Sequence, residues 1–199
     1  MKILKKINIG LVLAIITILA VVIYCVNLES SRKSAKQDIK KVCEEFIDLS
    51  DKYSKLPEEY QNVGGDLKQV NLDVYYSQLE TELKEKMKND AVVKIEKSVL
   101  EEKLKKQLYD LSKITIDVNT EITKISSYKF NGDEVTVTFN TKVTTKQKYL
   151  DDENKISEKI NETNYEDDSI VLQQIDGKWK IVLADLGYIS DIYGGDFIG

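Results

Sequence analysis

No histidine occurs in the chain, which removes the side chain most often used as a general base near neutral pH. Proton chemistry would therefore fall to tyrosine and carboxylic acid. Tyr53, Tyr75, Tyr76 and Tyr128 lie on or beside apolar faces, where a tyrosine beside an acid of raised pKa makes a donor–acceptor pair. The simpler reading is that these rings pack into a core and leave their hydroxyls at its rim. The acidic runs Asp151-Asp152-Glu153-Asn154 and Glu166-Asp167-Asp168-Ser169 offer oxygen ligands to a hard cation. They lack the spacing of a calcium loop and read as solvated loops. No group of Cys or His residues suits a transition metal. Asn161-Glu162-Thr163 matches a glycosylation acceptor and reads as accidental. No catalytic, cofactor-binding or metal-binding residue is assigned, no cofactor is expected, and the chain reads as non-enzymatic.

One segment does carry a binding signal. Tyr188, Ile189, Ile192, Tyr193, Phe197 and Ile198 crowd into residues 187–199, after the last predicted strand. An apolar tail is costly in water unless covered. It either folds back over the domain or docks onto a partner.

The other conspicuous stretch is apolar. From Ile9 to Val26 the sequence holds 18 residues without a charge. As a helix these rise roughly 27 Å, close to the ~30 Å hydrocarbon core of a bilayer. A cleaved signal needs a shorter apolar region and a small-x-small exit, whereas this run ends in bulky residues and Tyr24. Cys25 raises a lipoprotein alternative, but Tyr24 stands where a small residue is wanted. Lys2, Lys5 and Lys6 precede the run and the next cation is Arg32. The positive-inside bias then places the N-terminus in the cytoplasm and the rest outside. The expected organisation is a basic start at 1–8, an anchor at 9–27, a linker at 28–33, an extracytoplasmic domain at 34–186 and the apolar tail.

The chain has 199 residues, a net charge of −5 and 32% charged side chains. That length holds one domain with a real core. The acidic balance excludes nucleic acid, whose phosphates need a basic face. Arg32 is the only arginine, and the richness in Ile, Asn and Lys resembles low-GC Gram-positive bacteria. Cys25 and Cys43 are too differently placed to pair, so stability comes from packing, with Cys43 as a small buried apolar residue.

After a cap at Ser34, Ile39, Val42, Cys43, Phe46, Leu49, Tyr53 and Leu56 mark one face of a helix that Pro57 stops. A loop around Gly64–Gly65 leads to a second helix capped by Asp73, with Tyr75, Leu79, Leu83 and Met87 inward. A third restarts at Asn89 or Asp90, with Val92, Ile95, Val99, Leu100, Leu104, Leu108 and Leu111 inward. At Ile114 the period changes to two. Four antiparallel strands follow, with a bulge near Lys124, a hairpin at Asn131–Gly132, a turn at Leu150–Asn154 and a tight turn at Asp176–Gly177. In the last strand Trp179, Ile181 and Leu183 share a face. The expected fold class is α+β: a transmembrane helix, then about three helices on a curved four-stranded antiparallel sheet.

This order, ending in Val171-Leu172-Gln173-Gln174-Ile175-Asp176-Gly177-Lys178-Trp179-Lys180-Ile181, resembles the nuclear transport factor 2-like superfamily over Ser34 to Leu186. The resemblance implies a cone-shaped domain with Trp179 in its core. Enzymes of that superfamily work inside the cone, often with an Asp–His pair, which this chain lacks, or a tyrosine with an acid. Membrane-anchored versions include scaffold subunits of conjugation machines and proteins linked to cell-wall enzymes. The expected role is a single-pass, membrane-anchored binding or scaffold module acting on a protein or envelope partner. The alternatives are a small-ligand or catalytic pocket in the cone, and an assembly subunit of a conjugation or secretion complex.

Overall fold

The computed structural model of the chain describes residues 9–64, 71–109 and 111–190. Lys2, Lys5, Lys6, Gly65, and the tail beyond Ser190 lie outside them. The elements run in the order α1 (Ile9–Lys52), a 3-10 turn (Glu58–Tyr60), α2 (Asp73–Lys86), α3 (Asp90–Tyr109), β1 (Lys113–Asn131), β2 (Glu134–Leu150), β3 (Ile156–Ile175), β4 (Lys178–Asp185) and α4 (Gly187–Ser190). The chain divides into two compact units, Met1–Lys40 and Lys41–Gly199. The class is α+β, with several helices and one sheet of order β1-β2-β3-β4, every neighbour antiparallel.

The expected linker at 28–33 is not a break. α1 is one 44-residue helix through Leu28–Ser34, because no proline or glycine stands there to end it and a serine can remain helical at small cost. Within this helix Ile39, Cys43, Phe46, Ile47, Leu49 and, just past its end, Tyr53 and Leu56 are buried. The helix closes at Lys52, before Pro57, which instead opens the 3-10 turn.

Asp73 is the first residue of α2 and not its cap; the Asn71 side chain accepts the Asp73 N–H at 2.9 Å. Leu79, Leu83 and Met87 are buried as the spacing requires. Asn89 caps α3, its Oδ1 accepting from the N–H groups of Ala91 and Val92 at 3.0 and 3.1 Å. Asn89→Ala should lower stability by about 1 kcal/mol, read from the urea midpoint at unchanged m-value. An unchanged midpoint means the cap contributes nothing. The inward face of α3 agrees with the expected one at Leu100 and Leu104 and departs from it in the first two turns. Val93, Glu96, Leu100 and Leu104 are buried, whereas Ile95 is 61% exposed. Leu104 joins Leu56, Leu72 and Ile114 in a cluster at the start of β1.

On β2 the residues Val135, Val137, Phe139, Thr141 and Val143 alternate inward, facing the same core as Ile170, Leu172 and Ile181. β1 carries register shifts at Thr115/Asp117, Ile122/Lys124 and Ile125/Ser127. These include the bulge expected near Lys124, and they let a 19-residue strand follow its neighbour as both twist. Asn131 pairs with Glu134, so the hairpin loop is Gly132–Asp133, with Gly132 at φ +63 in the first loop position. The last turn, Asp176–Gly177, has positive φ at both positions (+49 and +76), the type I′ pattern that suits a two-residue hairpin.

A further register shift, between Val171 and Leu172, changes the phase of β4. Ile181 stays buried while Leu183 is turned outward, and Trp179 is half-buried. The expected shared face of these three is therefore broken by one bulge. β4 pairs only with Ser169–Ile175, so β3 from Ile156 to Asp168 has an open edge among the described residues.

Candidate functional site

The expected docking residues divide in two. Tyr188 and Ile189 are each 6% exposed, while Ile192, Tyr193, Phe197 and Ile198 lie outside the described residues. Residues Gly187–Ser190 form α4, seated on β3 by an arrangement of buried polar groups. The Gly187 N–H donates to Asp168 Oδ1 at 2.7 Å, and Thr141 Oγ1 donates to Asp168 Oδ2. A side chain at position 187 is impossible without movement, since a Cβ there would sit 2.3 Å from the Tyr165 ring. The Tyr188 ring lies 6.4 Å from that of Tyr165, and Lys103 Nζ stands 4.8 Å from its centroid while donating to its carbonyl at 3.3 Å.

Asp51, at the end of α1, accepts both the backbone N–H of Thr120 at 2.6 Å and its hydroxyl at 2.8 Å. β1 is an edge strand, so this N–H has no strand to receive it. A buried donor left unpaired is costly, and the carboxylate supplies the acceptor. The Tyr188 hydroxyl is directed at Asp51, Thr120 and Ser50, yet none closes a well-shaped hydrogen bond with it; Ser50 Oγ is likewise buried and unpartnered. Burial raises the Tyr188 hydroxyl well above its ordinary value, and the neighbouring Asp51 charge adds to this.

Burial pushes Asp51 and Asp168 upward as well, against the hydrogen bonds they accept. Glu96 is 5% exposed, and burial raises its carboxyl to about 7 against the pull of the Ala184 N–H. Thus Asp51, Glu96, Asp168 and Tyr188 are buried ionisable groups of the domain. They brace α4, an edge strand and β4; the core around them is filled by Phe46, Phe139, Leu79, Leu83 and Ile170, all essentially inaccessible. Cys43 is also buried, and its thiol is pushed up to about 12 by desolvation and then by Glu44, which leaves it unreactive.

Of the tyrosines singled out for chemistry, Tyr53 is buried, and Tyr75, Tyr76 and Tyr128 are half-buried. Tyr53 donates to Glu82 at 3.0 Å, and Tyr75 donates to the Lys52 carbonyl at 2.8 Å. Their rings stack obliquely at 4.7 Å. Burial and then the Glu82 bond raise the Tyr53 hydroxyl well above its ordinary value, and burial pushes Tyr75 up to about 12, so neither proton is labile near neutrality. A cavity of about 440 Å³ lines the outer face of α2 with Asp73, Val74, Ser77, Gln78, Thr81 and Glu82, away from the buried acids.

Side chains of both acidic runs are engaged within the fold. Asp151 folds the β2–β3 turn on itself by accepting the N–H groups of Glu153 and Lys155 at 3.0 and 2.8 Å. The run at Glu166 is not a loop but part of β3, with Asp168 inside. No cluster of metal-ligating side chains occurs among the described residues.

The N-terminal part of α1 contrasts with all of this. Leu13, Ile15, Ile16, Ile18, Leu19, Val21, Val22, Ile23, Tyr24 and Val26 are between 49% and 67% exposed. They cover every side of the helix. Among the described residues no helix is long and apolar enough to cross a membrane; the described side chains begin at Leu13 and omit Cys25, so they include only part of the run from Ile9 to Val26. Comparisons with known protein families, curated proteins and solved structures found no match.

Proposed function

We propose that the protein is a single-pass membrane protein whose folded domain works as a non-enzymatic binding or scaffold module outside the cell membrane. The observation that carries this is the ring of exposed apolar side chains on α1. A helix apolar on all sides is stable only when something apolar surrounds it. Each such side chain favours leaving water by roughly 1.5–3 kcal/mol, and nothing in the described chain covers them. The run from Ile9 to Val26 has the length of a bilayer core, and Lys2, Lys5 and Lys6 stand immediately before it; the cations from Arg32 onward belong to a long domain, which translocates largely regardless of charge.

The reading of the rest as a module rather than an enzyme is supported by where its ionisable groups go. The buried acids brace the fold, and the Tyr53 and Tyr75 hydroxyls donate to Glu82 and to the Lys52 carbonyl. Tethering raises the effective concentration of such a module near an envelope partner, and the open edge of β3 leaves backbone groups for a protein partner to pair with. The cone shape implied by the superfamily resemblance belongs to the same proposal.

The test is expression of the full chain in a bacterial host. The wild type should stay in the membrane fraction through alkaline carbonate washing, and Ile16→Lys/Leu19→Lys should be released, since each lysine at mid-span costs roughly 3 kcal/mol. Protease added to intact protoplasts should digest the domain. Wild-type protein in the soluble fraction overturns the anchor; a domain protected in intact protoplasts overturns the orientation. In-membrane crosslinking with mass spectrometry then identifies the partner.

A further inference from the structure

α1 does not end where its apolar run does. It continues without a break to Lys52, so the residues after Val26 keep a fixed height above the run. Arg32 lies six residues beyond Val26 and Lys40 fourteen, which places them roughly 9 and 21 Å further along the axis. Arg32, Lys33, Lys36 and Lys40 are all exposed, and at ~100° per residue they fall within one arc of about 100° on the helix. Glu29 shares that arc at its lower end, three and four residues before Arg32 and Lys33, and leaves it net positive. Asp38 lies on another side.

Side chains on a helix lean toward its N-terminus. Here that direction is toward the apolar run, so the long Arg and Lys stems carry their charges back to the edge of the run. The headgroup layer extends roughly 5–7 Å beyond the hydrocarbon, and a charge is felt for roughly a further 8–10 Å. Arg32 and Lys33 fall within headgroup reach. Lys36 and Lys40 enter the screened zone, closer still when the helix tilts by the usual ~20° toward its charged side.

We propose that this stripe is a binding site for anionic phospholipid headgroups: Arg32, Lys33, Lys36 and Lys40 hold the phosphates of acidic lipids around the emerging helix and set the direction of its tilt. The inference rests on the membrane reading above. It adds the lipid class recognised and the residues that recognise it. Arg32 is suited to bidentate contact with a phosphate, and the lysines act as point charges.

The test uses the full-length chain in nanodiscs of equal phosphatidylglycerol and phosphatidylcholine, with retained lipids counted by native mass spectrometry. The wild type should retain the anionic lipid over the zwitterionic one by roughly tenfold, as expected from several cations each favourable at the surface, and 0.5 M salt should lower the ratio. Arg32→Gln/Lys33→Gln/Lys36→Gln/Lys40→Gln should bring it near one, while Lys33→Arg/Lys36→Arg/Lys40→Arg keeps it. All four positions are exposed, so equal thermal unfolding of the variants confirms that the fold is unchanged. If the glutamine variant inserts and keeps the wild-type ratio, the lipid site is wrong and the anchor stands. If the wild type fails to insert in any nanodisc, the anchor reading falls and takes the lipid site with it.

Discussion

Replacing Glu96 with glutamine should stabilise the protein at pH 8 and change little at pH 4. Glu96 sits on the inward face of α3 with Val93, Leu100 and Leu104, and its carboxyl meets the Ala184 N–H of β4. One hydrogen bond does not replace the water that an ionised carboxylate loses on burial. The carboxyl is consequently held at about 7 against an ordinary 4.5. An acid whose folded pKa is raised contributes its full stability below the unfolded value, and that contribution is lost as pH climbs through the folded value. The window here runs from about 4.5 to about 7, and the difference across it is on the order of 3 kcal/mol. Glutamine keeps the shape and the carbonyl oxygen that accepts from Ala184, and it has no charge to desolvate. Urea unfolding followed by Trp179 fluorescence should show wild-type stability falling from pH 5 to pH 8 relative to Glu96→Gln. Parallel curves for the two proteins would show that Glu96 is solvated.

Why Glu96 was invisible in the sequence is instructive. The expected stripe through Val92, Ile95, Val99, Leu100 and Leu104 is apolar throughout, whereas the buried face has Val93 and Glu96 in place of the first three and keeps Leu100 and Leu104. The sheet and α2 decided the face of α3, not the count of apolar side chains on it. By contrast β3 was legible to both its ends, since its alternation of Ile170 and Leu172 and the turns on either side leave little choice of boundary. The same alternation carries back to Asp168 and marks it as inward. Its acidic neighbours Glu166 and Asp167 concealed that by making the stretch look like a solvated loop. Thr141 was hidden in the same way, as the polar member of an inward row between Phe139 and Val143. Leu183 could not have been placed, because a one-residue bulge reverses every side chain beyond it and leaves no mark in composition. The apolar run of α1 was plain from length and charge alone. The absence of a break after it was not, since serines and charged residues are compatible with either a linker or a helix.

Asp168 offers the sharper dissection of how the C-terminal turn is held. Asp168→Ala should lower stability by about 3 kcal/mol, whereas Asp168→Asn should stay within about 1 kcal/mol of wild type at pH 7. The alanine leaves the Gly187 N–H and the Thr141 hydroxyl without their acceptor. A buried donor stripped of its partner costs roughly 1–3 kcal/mol. Asparagine restores both contacts: its Oδ1 accepts from Gly187, and its amide donates to Thr141 Oγ1, which reverses its role by rotating its proton. It also removes the desolvation that raises the Asp168 carboxyl. The sign of the pH effect follows from that rise. Wild type regains stability as pH falls from the raised folded value toward the ordinary 3.8, while the asparagine protein has no titration at this site. The gap between the two should therefore shift in favour of wild type on acidification. Hydrogen exchange at the Gly187 amide provides the local readout: fast in the alanine protein, slow in wild type and asparagine alike. Equal protection in all three would mean that α4 is held by Tyr188 and Ile189 alone, and that Asp168 is a buried acid the fold tolerates and does not use.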